Sequence, residues 1–406
     1  MSGAAAPEAG ATAPGTPGEV FRAFLKLGLT SFGGPIAHLG YFREELVLRR
    51  RWIDEAGYAD LVALCQFLPG PASSQVGFAL GLLRGGALGA AAAWVAFTLP
   101  SALALVLFAY GATALQGPLG SALLHGLKVV AVAVVAQAVW GMARALCPDR
   151  QRASIAVLAV LIVIFAAGPV GQVAAIVAGA LAGLWLCRDA PAAIAGHLTF
   201  PISRRVGAAA LALFFLLLVL LPLAAAALPS HPLALVDAFY RSGALVFGGG
   251  HVVLPLLQAE VVPPGWVSDD AFLAGYGAAQ AVPGPLFTFA AYLGAVMRPE
   301  PNGVIGAAIC LIAVFLPGLL LVVGTLPFWD ALRRRPAAQA ALRGTNAAVV
   351  GLLGAALYHP LWTSAILGPR DFALALTGFV LLTAWQTPPW LVVALTAAGS
   401  VALSLL

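Results

Sequence analysis

Gly28-Leu-Thr-Ser-Phe-Gly-Gly34 returns 215 residues later as Gly243-Ala-Leu-Val-Phe-Gly-Gly249. The series then continues in order. Glu45 falls on Glu260 at the same offset. After a one-residue gap, Trp52 falls on Trp266, Gln66-Phe-Leu-Pro-Gly-Pro71 on Gln280-Ala-Val-Pro-Gly-Pro285, and Arg84 on Arg298. Phe97-Thr-Leu-Pro100 resembles Phe315-Leu-Pro317, and Gly126 resembles Gly344. One pairing of glycines and prolines carries little weight, but an ordered series signals duplication of a structural plan. Residues 19–190 and 234–406 are the expected copies, and residues 191–233 a linker between them. Residues 1–18 lack a basic start and an apolar core, so they read as a disordered Ala/Gly/Pro-rich tail and not as a signal peptide.

The solvent follows from composition. Of 406 residues, 61% are hydrophobic and only 9% charged, against roughly 45–50% and about 25% in soluble domains; the mean hydropathy is +0.97. That excludes a soluble multi-domain enzyme, a disordered chain and a nucleic-acid binder. Val206–Leu228 and Phe372–Trp385 are apolar without alternation, so helices are expected and an outer-membrane barrel is not. The net charge of +5 is carried mainly by arginine, with Lys26 and Lys128 the only lysines. Cys65, Cys147, Cys187 and Cys310 are scattered through apolar runs and read as packing residues. No metal-ligand cluster and no cofactor motif is legible.

Each copy is expected to open with two short helical pairs. In the first, residues 19–33 run into Gly33-Gly34-Pro35, a second helix reaches Arg49, and Asp54 caps a third that ends at Leu68. Pro69-Gly70-Pro71 then starts a fourth, ending near Arg84. None reaches the ~20 residues that cross a bilayer comfortably, so they read as broken or re-entrant hairpins. Longer spans are expected at 87–115, 119–145, 152–167 and 169–187. In the second copy the short pieces are 234–249, 251–262, 268–282 and 285–297, and the spans 303–329, 338–362, 371–386 and 389–406. Between the copies lies one extra span, 206–228. An even number of elements plus one crossing turns the second copy upside down. Arginine placement agrees: Arg43, Arg49, Arg50 and Arg51 have no basic counterpart in Gln258–Asp270, whereas uncharged Gln116-Gly-Pro118 corresponds to the segment holding Arg333, Arg334 and Arg335. The fold expected is therefore an all-α polytopic membrane protein of two inverted-topology repeats, its N-terminus cytoplasmic and its C-terminus periplasmic.

Inverted repeats with broken helices suit a transporter, with substrate held near the midplane by helix ends. Helix N-termini present free N–H groups and partial positive charge, which favours an anion. The candidate substrate-binding residues are Gly33, Gly34, Pro69, Gly70, Pro71, Ser73, Ser74 and Gln75 in the first copy. Gly248, Gly249, Pro283, Gly284, Pro285 and Thr288 are those in the second. Three cations join them: Lys26, its counterpart Arg241, and Lys128, which lies deep in an apolar span where a charge is costly. Together they favour a doubly charged oxyanion. Glu45 and Glu260, also repeat-related, are candidates for proton coupling. Asp54, Glu55, Asp269 and Asp270 read as helix caps, and His38 and His251 as packing or hydrogen-bonding residues. Glycines spaced by four (Gly77, Gly81, Gly85 and Gly89; Gly179 and Gly183) allow close helix approach, within the chain or across a homodimer.

On Phe32-Gly-Gly34, Trp52, Gln66-Phe-Leu-Pro-Gly-Pro71 and Gly77, with Phe247-Gly-Gly249, Trp266 and Gln280-Ala-Val-Pro-Gly-Pro285, the sequence resembles the chromate ion transporter family in its long, two-domain form. The likeness covers nearly all the chain beyond residue 19. In the second copy Leu286-Phe287 replaces the small polar residues that follow the turn in the first. The resemblance implies a bacterial inner-membrane transporter that exports chromate from the cytoplasm and confers resistance, with sulfate competing because both are tetrahedral dianions. The residues alone lead to an anion transporter and do not distinguish chromate from sulfate. A sulfate or other oxyanion carrier, or a passive anion channel, fits the same motifs. A membrane enzyme fits least, since Ser73 or Ser74 would need a base in reach. The expected partners are the anion and membrane lipid, with no nucleic acid.

Overall fold

Prolines and short polar side chains set the helix starts. In the computed structural model, which describes residues 15–112, 117–166, 168–188 and 200–405, the described residues form helices and connecting turns with no strand. The first copy comprises α1 (Pro17–Thr30), α2 (Gly34–Phe42) continued by a π-helical turn Arg43–Arg49, α3 (Glu55–Phe67), α4 (Ala72–Ala112), α5 (Pro118–Leu146), α6 (Arg150–Phe165) and α7 (Pro169–Leu186). The linker helix is α8 (Arg204–Ala227). The second copy comprises α9 (His231–Ala244), α10 (Val253–Val261), α11 (Asp269–Ala279), α12 (Phe289–Val296), α13 (Gly303–Thr325), α14 (Trp329–Arg333), α15 (Pro336–Ala356), α16 (Thr363–Ala365), α17 (Pro369–Thr383) and α18 (Pro389–Ser404). Residues 1–14 of the expected tail and 191–199 of the linker lie outside the described residues.

Asp54 caps α3 as its spacing predicts, its carboxylate accepting from Gly57 N at 2.8 Å. At the equivalent helix the cap is Ser268, which accepts from Ala271 N. Asp269 and Asp270, expected to cap, sit inside the first turn, because the cap is the residue before the first helical φ/ψ. Glu55 likewise lies within α3 and pairs with Arg43. The long helix α4 breaks at Gly85 and Gly86, whose backbone leaves helical values. It therefore comprises a short helix, residues 72–84, and a long one, residues 87–112, with the division where the expected end near Arg84 and the expected span from residue 87 put it.

Among the described residues, six helices are long and apolar enough to cross a membrane: those beginning at Ala72, Pro118, Pro169, Arg204, Gly303 and Pro336. Helices α6, α17 and α18, expected among the longer spans, have 16, 15 and 16 residues. At 1.5 Å per residue these extend ~24 Å, short of a ~30 Å hydrocarbon core. Helix α8 buries one stripe, Gly207, Ala210 and Phe214, and leaves Leu213, Phe215, Leu216, Val219 and Leu220 exposed. Apolar surface of that extent belongs in lipid. The chain is a polytopic helical membrane protein.

The copies interlock. Gly126 of α5 meets α18 at Ala397, where an added Cβ would lie 2.7 Å from Cα, and Ser400 Oγ donates to Ala122 O at 2.7 Å. Its counterpart Gly344 of α15 meets Gly183 of α7, an added Cβ lying 2.6 Å from Cα. Each copy's last helix thus grips the other copy's counterpart of α5. Gly179 and Gly183 are used within the chain at this crossing, and Gly77 and Gly81 likewise face Phe24 and Gly89. A second matched pair sits nearer the turns. Gly28 lets α1 approach the backbone of Ala96 and Phe97, and Gly243 lets α9 approach that of Val314.

Candidate functional site

Both Gly-Gly turns and both Pro-Gly-Pro turns need backbone that L side chains avoid: φ is 100° and 79° at Gly33 and Gly34, 72° and 156° at Gly248 and Gly249, 120° at Gly70 and 96° at Gly284. The turns are tied together across the repeat. Gly70 N donates to Val246 O at 2.7 Å, and Gly284 N donates to Ser31 O at 2.8 Å. Val246 and Ser31 precede the two Phe-Gly-Gly sequences at equivalent positions, so the exchange is reciprocal. Packing repeats the exchange: Gly70 lies on Gly318, and its counterpart Gly284 lies on Ser101. The Gly-Gly turns meet where Gly250 faces the Pro35 ring, an added Cβ lying 3.4 Å from it.

Beside this junction the first copy buries polar groups that lack partners. Ser31, His38, Ser73, Ser74 and Thr98 are all buried. His38 Nδ1 lies 3.2 Å from Ser73 Oγ, and the imidazole stands edge-on to Phe97 at 5.4 Å. Ser31 Oγ, His38 Nε2, Ser74 Oγ and Thr98 Oγ1 have no hydrogen-bond partner among the described residues. An unmade bond costs about 1–3 kcal/mol per buried group, so four together call for something that accepts from them. If Nδ1 accepts from the Ser73 hydroxyl, Nε2 carries the proton and is a donor. The start of α4 at Ala72 adds backbone N–H groups. Gln75, in the same turn, is occupied: its Nε2 donates to Pro69 O at 2.9 Å and to Gly318 O at 3.0 Å. The second copy differs as its sequence predicts. Leu286 and Phe287 fill the corresponding space, and Thr288 Oγ1 donates back to Pro285 O at 2.7 Å.

The Ser31–Gly284 link joins this cluster to a cavity of about 60 Å³ lined by Gly33, Gly34, Gln137, His251, Gln280 and Gly284, among others. His251 Nδ1 is 2.7 Å from Tyr276 Oη. A larger cavity of about 480 Å³ lies elsewhere, lined by His125, Lys128, Trp266, Ser268, Asp270 and Arg298. Lys128 Nζ donates there to Asp270 at 2.8 Å. Val134, at the small cavity, is six residues further along α5, ~9 Å away by helical rise.

The three cations expected to converge are therefore dispersed. Lys26 pairs with Glu45 at 2.8 Å, and Arg241 with Asp237 at 2.8 Å and Glu260 at 3.0 Å. Glu45 also receives Arg49 and Arg50. Burial works against the Glu45 carboxylate, but hydrogen bonds from Lys26 and Arg50 overcome it and hold its pKa down at about 2. Trp52 stacks under Arg84 at the start of the helix over residues 87–112. Its counterpart Trp266 lines the large cavity with Ala109 and Ala112, at that helix's other end.

A family model described as chromate transporter matches residues 18–184 and again residues 233–401. The chain belongs to the chromate transporter family. Among its relatives, a chromate transport protein of Pseudomonas aeruginosa is 30% identical over 94% of this chain and 90% of its own. A chromate transport protein of Cupriavidus metallidurans is 27% identical over 82% and 80%. An uncharacterized transporter of Methanocaldococcus jannaschii is 26% identical over 82% of each. No solved structure matches the chain. In this family member, sequence reasoning reached the turns but missed Ser31 and Thr98 in the buried cluster and Gln137 and Gln280 at the small cavity, and of the two roles it gave His38, packing or hydrogen bonding, the structure shows the second, to Ser73. Only the repeated Gly-Gly marks Ser31 in the sequence, and nothing in the spacing of His38 and Ser73 announces their pairing.

Proposed function

We propose that this protein carries chromate out of the cytoplasm across the inner membrane and so confers resistance to it. The anion is held at the junction of the four turns, by the hydroxyls of Ser31, Ser74 and Thr98, the His38 Nε2 proton whose placement the Ser73 hydroxyl fixes, and N–H groups at the starts of α2 and α4. The four partnerless buried polar atoms beside this junction carry the reading. Neutral donors on a rigid frame suit a dianion, because they stabilise charge without an ion pair that must break on release. Lys26, Arg49 and Arg50 cluster behind the first Gly-Gly turn around one carboxylate, Glu45, and set a positive field. Lys128 belongs to the exit path through the large cavity, where the anion displaces Asp270.

The two copies face opposite ways across the lipid, with the N-terminus cytoplasmic and the C-terminus periplasmic. The placement of Trp52 and Trp266 at opposite ends of one long helix supports this, as do the reciprocal turn contacts. Transport proceeds by alternating access around the junction. Leaving an inside-negative cell is downhill for a dianion by about 2.3 kcal/mol per charge per 100 mV. Purified protein in liposomes, given labelled chromate or sulfate under imposed voltage, tests the proposal. Saturable chromate flux with counterflow, inhibited by sulfate, is expected. Sulfate flux with no chromate flux would make it a carrier of another oxyanion. Flux linear in substrate with large unitary currents would make it a channel.

A further inference from the structure

Each Gly-Gly turn is spanned by a strap. In the first copy Lys26 on α1 reaches across the turn to Glu45, beyond α2. In the second, Arg241 on α9 reaches across to Glu260 on α10. The charges around the straps are opposite. Glu45 is surrounded by Lys26, Arg49 and Arg50, and the position equivalent to Asp237 is Arg22. In the second copy one guanidinium nitrogen of Arg241 bonds Asp237 and Glu260 together. The segment Val261–Gly265, which stands where Leu46–Arg51 stands in the first copy, has no cation.

Two part-buried carboxylates on one arginine leave a net charge of −1 with no other ion pair to answer it among the described residues. Helices α8 and α13 pack on α9 and have no charged side chain between Val206 and Ala227 or between Gly303 and Thr325. Helix α7, against α10, brings the Gln172 amide to Pro255 O. Helix α15, also against α10, has Arg343, which donates to Cys187 O. Like charges sharing a site favour binding one proton. Water is near, since Pro263, Pro264 and Gly265 are exposed just beyond Glu260. The strap also reaches the junction mechanically: a 3-10 turn over Gly250–Val252 leads from the junction into α10, whose Glu260 lies ~10 Å along the helix axis from its first residue, Val253.

We propose that Asp237, Arg241 and Glu260 form the proton-exchange site of the transporter, and that the strap across the second Gly-Gly turn loosens when the pair takes up a proton. This rests on the transport reading above. The proton joins one carboxylate oxygen from the water beyond Gly265. The cluster passes from a charge of −1 to neutral, Arg241 keeps one partner instead of two, and the turn is freed to move. The proton leaves inward as the turn recloses. The first copy has no such site and acts as the fixed half.

The test uses full-length protein in liposomes with labelled chromate, under an imposed pH gradient and separately in chromate–chromate counterflow at equal pH. Wild type should be accelerated about tenfold by acid on the outer side, an ordinary size for coupling between two sites. Asp237→Asn and Glu260→Gln should each lose the acceleration and keep counterflow, whereas Glu45→Gln should keep the acceleration. A trapped pH dye should report protons moving opposite to chromate in wild type, a readout independent of how the variants fold. Acceleration persisting in Asp237→Asn or Glu260→Gln, or wild-type chromate flux with no proton movement, overturns the site and leaves chromate transport standing. Absence of any wild-type chromate flux or counterflow overturns the transport reading, and the site with it.

Discussion

Gly70 and Gly284 occupy the same place in the two copies and carry the same burden. Each donates its N–H to the other copy, and each holds a φ that an alanine would strain. An added Cβ would also lie 2.9 Å from Gln75 Nε2 at Gly70 and 2.9 Å from Ser101 Oγ at Gly284. Gly70→Ala or Gly284→Ala should cost upward of ~1 kcal/mol in backbone strain and cut chromate flux more than it cuts protein in the membrane. Comparing flux with immunoblotted membrane protein checks this. A second residue-scale test concerns Asp60. It accepts from Arg333 and from Trp329 Nε1, both at 2.9 Å, and its side chain and that of Arg333 are each 6% exposed. Breaking a buried pair from one side typically costs about 3–5 kcal/mol. Asp60→Ala should therefore lower the melting midpoint of the detergent-solubilised protein markedly, while a control at an exposed acid away from Arg333, such as Glu44→Ala, should not.

Among the elements, the α7–α15 and α5–α18 crossings depend on backbone approach that only small residues permit. Gly344→Val inserts an isopropyl group where Gly183 already touches, and overpacking of this kind costs about 1–3 kcal/mol. The expected outcome is a lower melting midpoint and less protein in the membrane, relieved in neither case by added chromate. The strap in the first copy makes a different prediction. The depressed Glu45 pKa contributes stability that is complete above the ordinary carboxylate value and is lost as pH falls toward 2. Between pH 5 and 8 that contribution is constant. The melting midpoint of Glu45→Gln should thus run parallel to that of wild type across this window and lie below it throughout. Much of this level was legible beforehand, because Asp54, Pro69 and Pro71 announce their breaks through local backbone chemistry. The lengths of α6, α17 and α18 were not. An apolar run reports how much surface avoids water, and does not say where a helix stops inside a bundle.

For the whole molecule the decisive measurement is topological. Arg51 and Gly265 are exposed and occupy corresponding segments of the two copies. In a cysteine-free background, Arg51→Cys should be labelled by an impermeant maleimide only from the cytoplasmic side, and Gly265→Cys only from outside. Labelling of both from one side would remove the inverted arrangement and, with it, the shared anion junction.

The duplication, the apolar solvent, the helical class and the positions of the four turns were all written in the chain, because each depends on residue chemistry or on likeness between segments of the same sequence. Pairing was not. That Gly70 bonds Val246, that His38 meets Ser73 and that one arginine serves both Asp237 and Glu260 depend on which helix lies beside which. The three cations expected around a single anion are spread over separate ion pairs for the same reason: the nearest acid, and not the shared ligand, decides where a long basic side chain goes. Local propensity acts over a few residues, whereas these contacts join positions up to about two hundred residues apart, so only the packed bundle chooses among them.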